Sequence, residues 1–149
     1  IETGKTSPNL LSLNAICSAL DVPIFSLFTK DDSDHIHLVR AAERQTYIRN
    51  ISNGKPLTES LIIEGKNDMW GGVVEIPSGC DSGAFAHHAG EEFVHVLEGS
   101  MVFHLENNGD YSLKEGDTLY YPNYIGHRWS NPYDKNCKFI IVSTDPYRF

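Results

Sequence analysis

Two histidines and one glutamate stand at spacings that suit a metal site. His88 and Glu92 are four residues apart, and His127 follows further along the chain. Two imidazoles and one carboxylate can occupy one face of a coordination sphere and leave open positions, as in non-haem iron(II) oxygenases. Zinc, nickel or manganese would accept the same ligands. The alternative interpretation is a polar pocket in which both histidines hydrogen-bond to Glu92.

The segments around these residues have the pattern of strands and turns. Turn clusters at 107–110 and 114–117 separate short runs that alternate or are rich in β-prone residues. Many short strands at regular spacing predict a closed barrel or a two-sheet jelly roll, so the predicted fold class is mainly β. The predicted strands are 35–40, 46–49, 61–63, 69–76, 92–97, 101–105, 111–113, 118–121 and 138–143.

The first 29 residues differ from the rest because their apolar residues recur at helical spacing. Ser7 is the predicted N-cap and Pro8 the first helical residue, followed by apolar positions up to Leu20. A second short helix is predicted at 23–28, and the polar residues 30–34 form a linker. This pair of helices is either an arm packed on the main domain or the remnant of a helical domain.

Composition excludes several classes of protein. With 149 residues, 40% hydrophobic and 21% charged, the chain suits one globular domain and a small appendage. A net charge of -8 argues against nucleic-acid binding by this chain's bulk electrostatics. Three cysteines predict a reducing, cytoplasmic setting with buried thiols. No apolar run approaches the length of a membrane span, so no membrane partner is predicted. The chain begins with Ile1 and not with Met, which predicts a fragment of a longer protein.

The barrel half resembles the cupin superfamily, whose fold is a double-stranded β-helix. His88, Glu92 and Gly99 fit the second histidine, the glutamate and the closing glycine of the first cupin motif. The motif's first histidine falls on Ala86, and His87 is one residue out of step, so strand alternation turns it to the other face. The second motif is matched by Gly116, Pro122, His127 and Asn131, with Tyr124 in place of an inner glycine.

A second resemblance lies at the N-terminus. Residues 1–28 look like the closing third of a Cro-type (XRE-family) helix-turn-helix domain, whose recognition helix would precede Ile1. Residues 142–149 resemble the tail of helix-turn-helix regulators that carry a cupin sensor. The predicted domains are therefore 1–29 from the helix-turn-helix domain, 30–59 as linker and first barrel strands, and 60–149 as the cupin barrel.

These resemblances imply a transcriptional regulator. A homodimer would bind DNA through the full-length helix-turn-helix domain, although this fragment would not, and the cupin barrel would bind a small-molecule effector. The implied site is His88, Glu92 and His127, directly or through a divalent metal. Tyr121, Tyr124 and Trp129 are predicted to wall the effector pocket. No catalytic residue is assigned on this hypothesis.

The run 88–99 is also similar to the hydroxypropylphosphonate epoxidase family, which implies an enzyme instead. That family joins an XRE-type helical domain to a cupin and uses a His, Glu, His iron triad, onto which the same three residues map. Few cationic residues near the motifs could hold a phosphonate, with Arg128 and Lys138 as the candidates. A storage or sugar-type cupin is a third hypothesis, against which the N-terminal helices count.

Other polar residues near the motifs are predicted to have structural or solvated positions. Glu91 should face outward because its neighbour Glu92 faces inward. His95 and His104 are predicted to be structural or exposed histidines, and Arg128 to face away from His127.

Overall fold

A computed structural model describes residues 10–20, 36–50, 55–63 and 68–144 of the chain. The chain divides into two compact units, Ile1–Ile36 and His37–Phe149. The predicted second helix at 23–28, the linker at 30–34, the N-cap Ser7 and most of the C-terminal tail lie outside the described residues.

The first unit contains one described helix, α1, at Leu10–Ala19. The predicted helical spacing is confirmed there, and the amide of Leu20 donates to the carbonyl oxygens of Ile16 and Cys17 at the helix end. Cys17 is buried, whereas Ile16 and Leu20 are exposed. Among the described residues, no helix is long and apolar enough to cross a membrane.

The described residues of the second unit form nine strands and a short 3-10 helix at Ala41–Glu43. The strands are β1 Thr46–Asn50, β2 Pro56–Ile63, β3 Trp70–Ile76, β4 Glu91–Glu98, β5 Ser100–Leu105, β6 Gly109–Lys114, β7 Thr118–Pro122, β8 His127–Ser130 and β9 Cys137–Ser143. Six of them form one antiparallel sheet in the order β1-β2-β3-β9-β4-β7, and three form another in the order β6-β5-β8. The predicted mainly β fold class is confirmed.

The predicted strands differ from the structure most clearly at residues 36–40, at β8 and at β2, where residues 61–63 were predicted and the strand is Pro56–Ile63. The described residues 36–40 pair with no strand, and Ile36 and Leu38 are 90% and 73% exposed. Alternation alone does not make a strand where no neighbour accepts its backbone hydrogen bonds. Strand β8 was not predicted, because its four residues are too short to show a period.

We call the two sheets together the barrel, and the core lies between them. Alternate side chains of the central strands point inward, as the period of two requires. Burial is complete for Val94 and Val96 of β4, Phe103 of β5 and Phe139 of β9. Each such side chain contributes about 1.5–3 kcal/mol by leaving water.

The predicted buried thiols are also part of this core. Cys80 and Cys137 are free cysteines that are 1% and 0% exposed. Burial raises the pKa of the Cys137 thiol to about 11. These two thiols therefore pack as small apolar groups.

Gly99, the glycine that closes the first motif, is required by the turn between β4 and β5. Its φ is +79°, and a Cβ there would lie 2.5 Å from the backbone oxygen of Asn136. Any side chain would strain this left-handed conformation and collide with backbone that cannot move easily. The glycine thus permits the tight turn from β4 into β5.

Candidate metal site

Strand register places Glu92 in a row of inward-facing residues at one end of the larger sheet. Glu92 of β4 pairs with Ser143 of β9 on one side and with Tyr121 of β7 on the other. Ser143 in turn pairs with Trp70 of β3. Glu92 is 1% exposed, so this carboxylate is delivered to the barrel interior by the alternation of its own strand.

His88 lies in the loop before β4, and Asn123 anchors that loop. The amide of His88 donates to the carbonyl oxygen of Asn123 at 3.1 Å, and the amide of Asn123 donates to Gly90 at 2.9 Å. The Asn123 side chain also donates to the carbonyl oxygen of Ala89 and to the hydroxyl of Ser143. Because Asn123 is completely buried, these bonds hold the His88 loop against the end of the barrel.

His127 begins β8 and is positioned by pairing with the same loop. Its amide and carbonyl exchange hydrogen bonds with Ala86 at 3.0 and 2.9 Å. The ring Nδ1 lies 3.0 Å from the carbonyl oxygen of Ile125, to which it donates. Ala86, whose side chain cannot bind a metal, therefore holds the backbone of His127, whose side chain can.

The three side chains converge as the sequence predicted. Nε2 of His88 lies 3.2 Å from Nε2 of His127. Glu92 approaches the two Nε2 atoms through different oxygens, at 4.0 Å from His88 and 3.8 Å from His127. All three ligand atoms lie within 4.8 Å of one another, and Glu92 and His127 are buried.

The chemistry of this donor set fits a divalent ion. The hydrogen bonds from Nδ1 of His88 to Ala89 and from Nδ1 of His127 to Ile125 select the tautomer with a lone pair on Nε2. Ligand atoms bound to one ion at about 2.1 Å are roughly 3.0–3.5 Å apart. The two imidazole nitrogens already have that separation, whereas the nearest Glu92 oxygen to each lies 3.8 to 4.0 Å away and would have to move closer.

Aromatic rings and a hydroxyl surround the cluster. The hydroxyl of Tyr121 donates a hydrogen bond to Oε1 of Glu92. The Tyr121 ring lies 5.0 Å from the ring of His127, and Phe103 stacks on the same imidazole at 6.4 Å between centroids. These contacts restrict both ligands to one orientation and keep bulk water from this side of the site.

The neighbouring polar residues point elsewhere, in agreement with the sequence analysis. His87 contacts Glu106 at 2.7 Å, and Arg128 donates to Asp81 at 2.9 Å while its guanidinium lies over Phe85. Glu91 is exposed and accepts a hydrogen bond from Tyr120. The two strand histidines hydrogen-bond to nearby polar side chains, His95 to Thr118 and His104 to Asp110 and Ser130.

The three residues predicted to wall an effector pocket occupy different environments. Tyr121 is buried against Glu92, whereas Tyr124 is 76% exposed. Trp129, two residues after His127 on β8, lines a cavity of about 180 Å³. Trp70, which stands in the same row as Glu92 but two strands away, lines that cavity too, whereas none of the three candidate ligands is among its described lining residues.

Sequence reasoning missed several residues around the site. Asn123 follows Pro122 in a turn, and nothing local marks it as the anchor of the His88 loop. Arg49 and Glu59 form an ion pair at 2.9 Å in the cavity wall. Glu59 could have been noticed as a charged residue at an inward position of β2. The predicted strand began only at residue 61, so Glu59 fell outside it.

Similarity to known proteins agrees with this architecture. The cupin domain model matches residues 72–143, the part that contains all three residues of the candidate site. The barrel has the cupin fold. The chain is 31% identical over 72 residues to the uncharacterized protein MJ1618 of Methanocaldococcus jannaschii, which is 48% of this chain and 57% of that protein. The chain thus spans little more than half of the length of this curated relative.

Solved structures extend the likeness over nearly the whole chain. A crystal structure of iron(II) HppE superposes with a TM-score of 0.68 at 21% identity, covering 95% of this chain and 78% of that one. Hydroxypropylphosphonic acid epoxidase from S. wedmorenis gives a TM-score of 0.64 at 21% identity, covering 91% and 74%. At such identities the likeness shows a shared fold. The helix-turn-helix relationship of residues 1–29 stays a prediction.

Proposed function

We propose that the cupin barrel holds one divalent metal ion, with iron(II) as the first candidate, through His88, Glu92 and His127. The observation that supports it is the 3.2 Å approach of two Nε2 atoms beside a buried carboxylate. Zinc, nickel and manganese are the other candidates from the sequence. A bound cation would offset part of the desolvation cost of Glu92, a carboxylate that is buried beside two imidazoles.

Each residue of the site has a separate task in this proposal. His88 and His127 present Nε2 because backbone carbonyls hold their Nδ1 protons. Glu92 supplies negative charge, and the Tyr121 hydroxyl keeps that carboxylate in place. The bound metal would supply Lewis acidity and open positions for a small ligand.

We further propose that the barrel is the effector-binding part of a DNA-binding regulator. Support comes from the resemblance of residues 1–28 to a helix-turn-helix domain and of residues 142–149 to the tail of cupin-containing regulators. An effector controls DNA occupancy only if its affinity differs between two arrangements of the DNA-binding heads. The homodimer and the cytoplasmic setting stay predictions within this proposal.

The alternative is a mononuclear iron(II) oxygenase similar to hydroxypropylphosphonate epoxidase. The likeness to iron(II) HppE over 95% of the chain favours it. The charge of the cavity argues against it, because among the described lining residues Arg49 is the one cation and it is paired with Glu59. A phosphonate dianion would therefore meet little positive charge in this part of the chain.

Two assays on the full-length protein separate these hypotheses. The regulator predicts a gel shift on its own promoter DNA that weakens with salt, and a change in the shift when the metal is removed. The oxygenase predicts oxygen consumption when iron(II) and hydroxypropylphosphonate are added. Sequence-specific DNA binding without oxygen consumption supports the regulator, and the reverse result overturns it.

A further inference from the structure

The cavity has a mixed lining, in which apolar and aromatic residues meet three polar ones, Arg49, Glu59 and Ser82. Leu57 and Phe139 are buried apolar residues of its wall, and Trp70 and Trp129 add two indole rings. Its volume of about 180 Å³ is comparable to that of cavities that bind a single benzene ring. Space of this size and lining suits the body of a small cyclic molecule.

Glu59 is the buried charged residue of this wall, and one of its two carboxylate oxygens has a partner. Its side chain is 5% exposed, and Oε2 lies 2.9 Å from Nε of Arg49 in an ion pair. The other oxygen, Oε1, is buried and has no hydrogen-bond partner within the described part of the chain. A buried carboxylate oxygen of this kind gains considerably from any donor that reaches it.

The Arg49 guanidinium restricts the kind of hydrogen-bond donor that could bind to Oε1 of Glu59. Its positive charge already balances the Glu59 carboxylate, so an ammonium group entering the cavity would be placed close to a second cation. A hydroxyl group donates equally well to Oε1 and brings no charge. The pair therefore favours a neutral alcohol over an amine.

We propose that this cavity binds a small neutral alcohol, with a ring of about six atoms between the Trp70 and Trp129 walls and its hydroxyl donating to Oε1 of Glu59. Taking this alcohol as the effector rests on the proposed function. Binding in the cavity needs only the lining residues and the Arg49–Glu59 pair.

A matched pair of probes tests the donor requirement without any mutation. Cyclohexanol and cyclohexanone have nearly the same shape, but only the alcohol donates a hydrogen bond. The sequence contains two tryptophans, and both line the cavity, so tryptophan emission reports on this space alone. We expect saturable changes for both probes, with cyclohexanol binding about tenfold or more tighter.

The variant Glu59→Gln tests the assignment of the acceptor. The glutamine oxygen can accept from Arg49, which turns its NH₂ donor to the place of Oε1. Cyclohexanol and cyclohexanone should then bind with about equal affinity, or cyclohexanone should bind more tightly. Glu75→Gln is the matched control, because Glu75 lies on β3 beside Lys138 and outside the cavity lining. Equal preference in the wild type, an unchanged preference in Glu59→Gln, or no saturable emission change overturns the proposal.

Repeating the titration on metal-free protein separates this inference from the proposed function. Cyclohexanol should bind with the same preference over cyclohexanone when the metal is removed. If the protein binds no divalent metal and the alcohol preference remains, the metal proposal fails and the cavity proposal stands. If metal binds stoichiometrically and the preference is absent, the cavity proposal alone fails.

Discussion

The hydroxyl of Tyr121 donates a hydrogen bond to Oε1 of Glu92, and both side chains are buried in the barrel. Their strands are neighbours, and the two residues pair directly across β4 and β7. The carboxylate proposed as a metal ligand is thus oriented by a strand that contributes no ligand itself. This relationship extends the site beyond the three residues that the motifs identify.

Removing this hydroxyl should weaken metal binding without disturbing the fold. In Tyr121→Phe the ring still packs on Phe103, but Glu92 loses the donor that orients it. We expect metal affinity to fall about 10- to 100-fold, as for other partners of ligating residues. Competition with a chelator of known affinity measures this change.

Tyr120→Phe is the matched control for that experiment. Tyr120 is the next residue along β7, is 59% exposed, and donates to Glu91 outside the barrel. Its loss should leave metal affinity within about twofold, because a solvated hydrogen bond contributes little. Equal affinity losses in the two variants would contradict the role of Tyr121.

The Asn123 anchor should control the mobility of the His88 loop. Asn123→Ala removes the side-chain hydrogen bonds to Ala89 and Ser143 and creates a buried gap. We expect the free energy of unfolding to fall by about 1–3 kcal/mol and the amides of residues 88–90 to exchange faster with solvent. Hydrogen exchange by NMR measures the second effect.

Asn108→Ala provides the comparison for Asn123, since Asn108 makes a local hydrogen bond to Glu106 in an exposed turn. Its substitution should change the free energy of unfolding by about 0.5 kcal/mol or less and leave exchange at 88–90 unaltered. Unchanged exchange in Asn123→Ala would show that other contacts hold the loop.

The buried thiol of Cys137 predicts a loss of stability at high pH. Burial raises its pKa from 9.0 in the unfolded chain to about 11 in the folded one. As pH rises through this window the unfolded state loses the proton while the folded state keeps it, so the free energy of unfolding falls. The contribution is fully present below pH 9.0 and is lost as pH passes about 11.

Cys137→Ala lacks this titration, so urea unfolding of both proteins at several pH values isolates it. The wild type should lose stability relative to the variant as pH is raised from about 8 to about 11. Parallel stability curves for the two proteins would contradict a raised pKa in the folded state.

Much of the barrel could be predicted because its residues carry local signals. Strand β4 alternates strictly between buried and outward residues, and that same alternation predicted that Glu91 faces outward while Glu92 faces inward. The convergence of His88, Glu92 and His127 could be predicted because these residues match two spaced motifs. Such signals are visible in a single sequence because they depend on residues that are close together along the chain.

The relationships that could not be predicted depend on contacts between distant segments. Nothing near Asn123 indicates that it anchors His88, since the contact depends on the end of β7 meeting the loop before β4. The pairing of Arg49 with Glu59 depends on the register of two strands, one of which was predicted too short. Residues 36–40 alternate like a strand but find no partner.

Metal stoichiometry in a pair of adjacent histidine variants tests the central claim most directly. His88 belongs to the proposed metal site, whereas its neighbour His87 contacts Glu106 outside it. Full-length wild type and His87→Ala, titrated calorimetrically with iron(II) without oxygen, should each bind one equivalent. His88→Ala should bind at least about 100-fold more weakly. Equal binding by the two variants, or no stoichiometric binding by the wild type to any of the four candidate metals, would contradict the account.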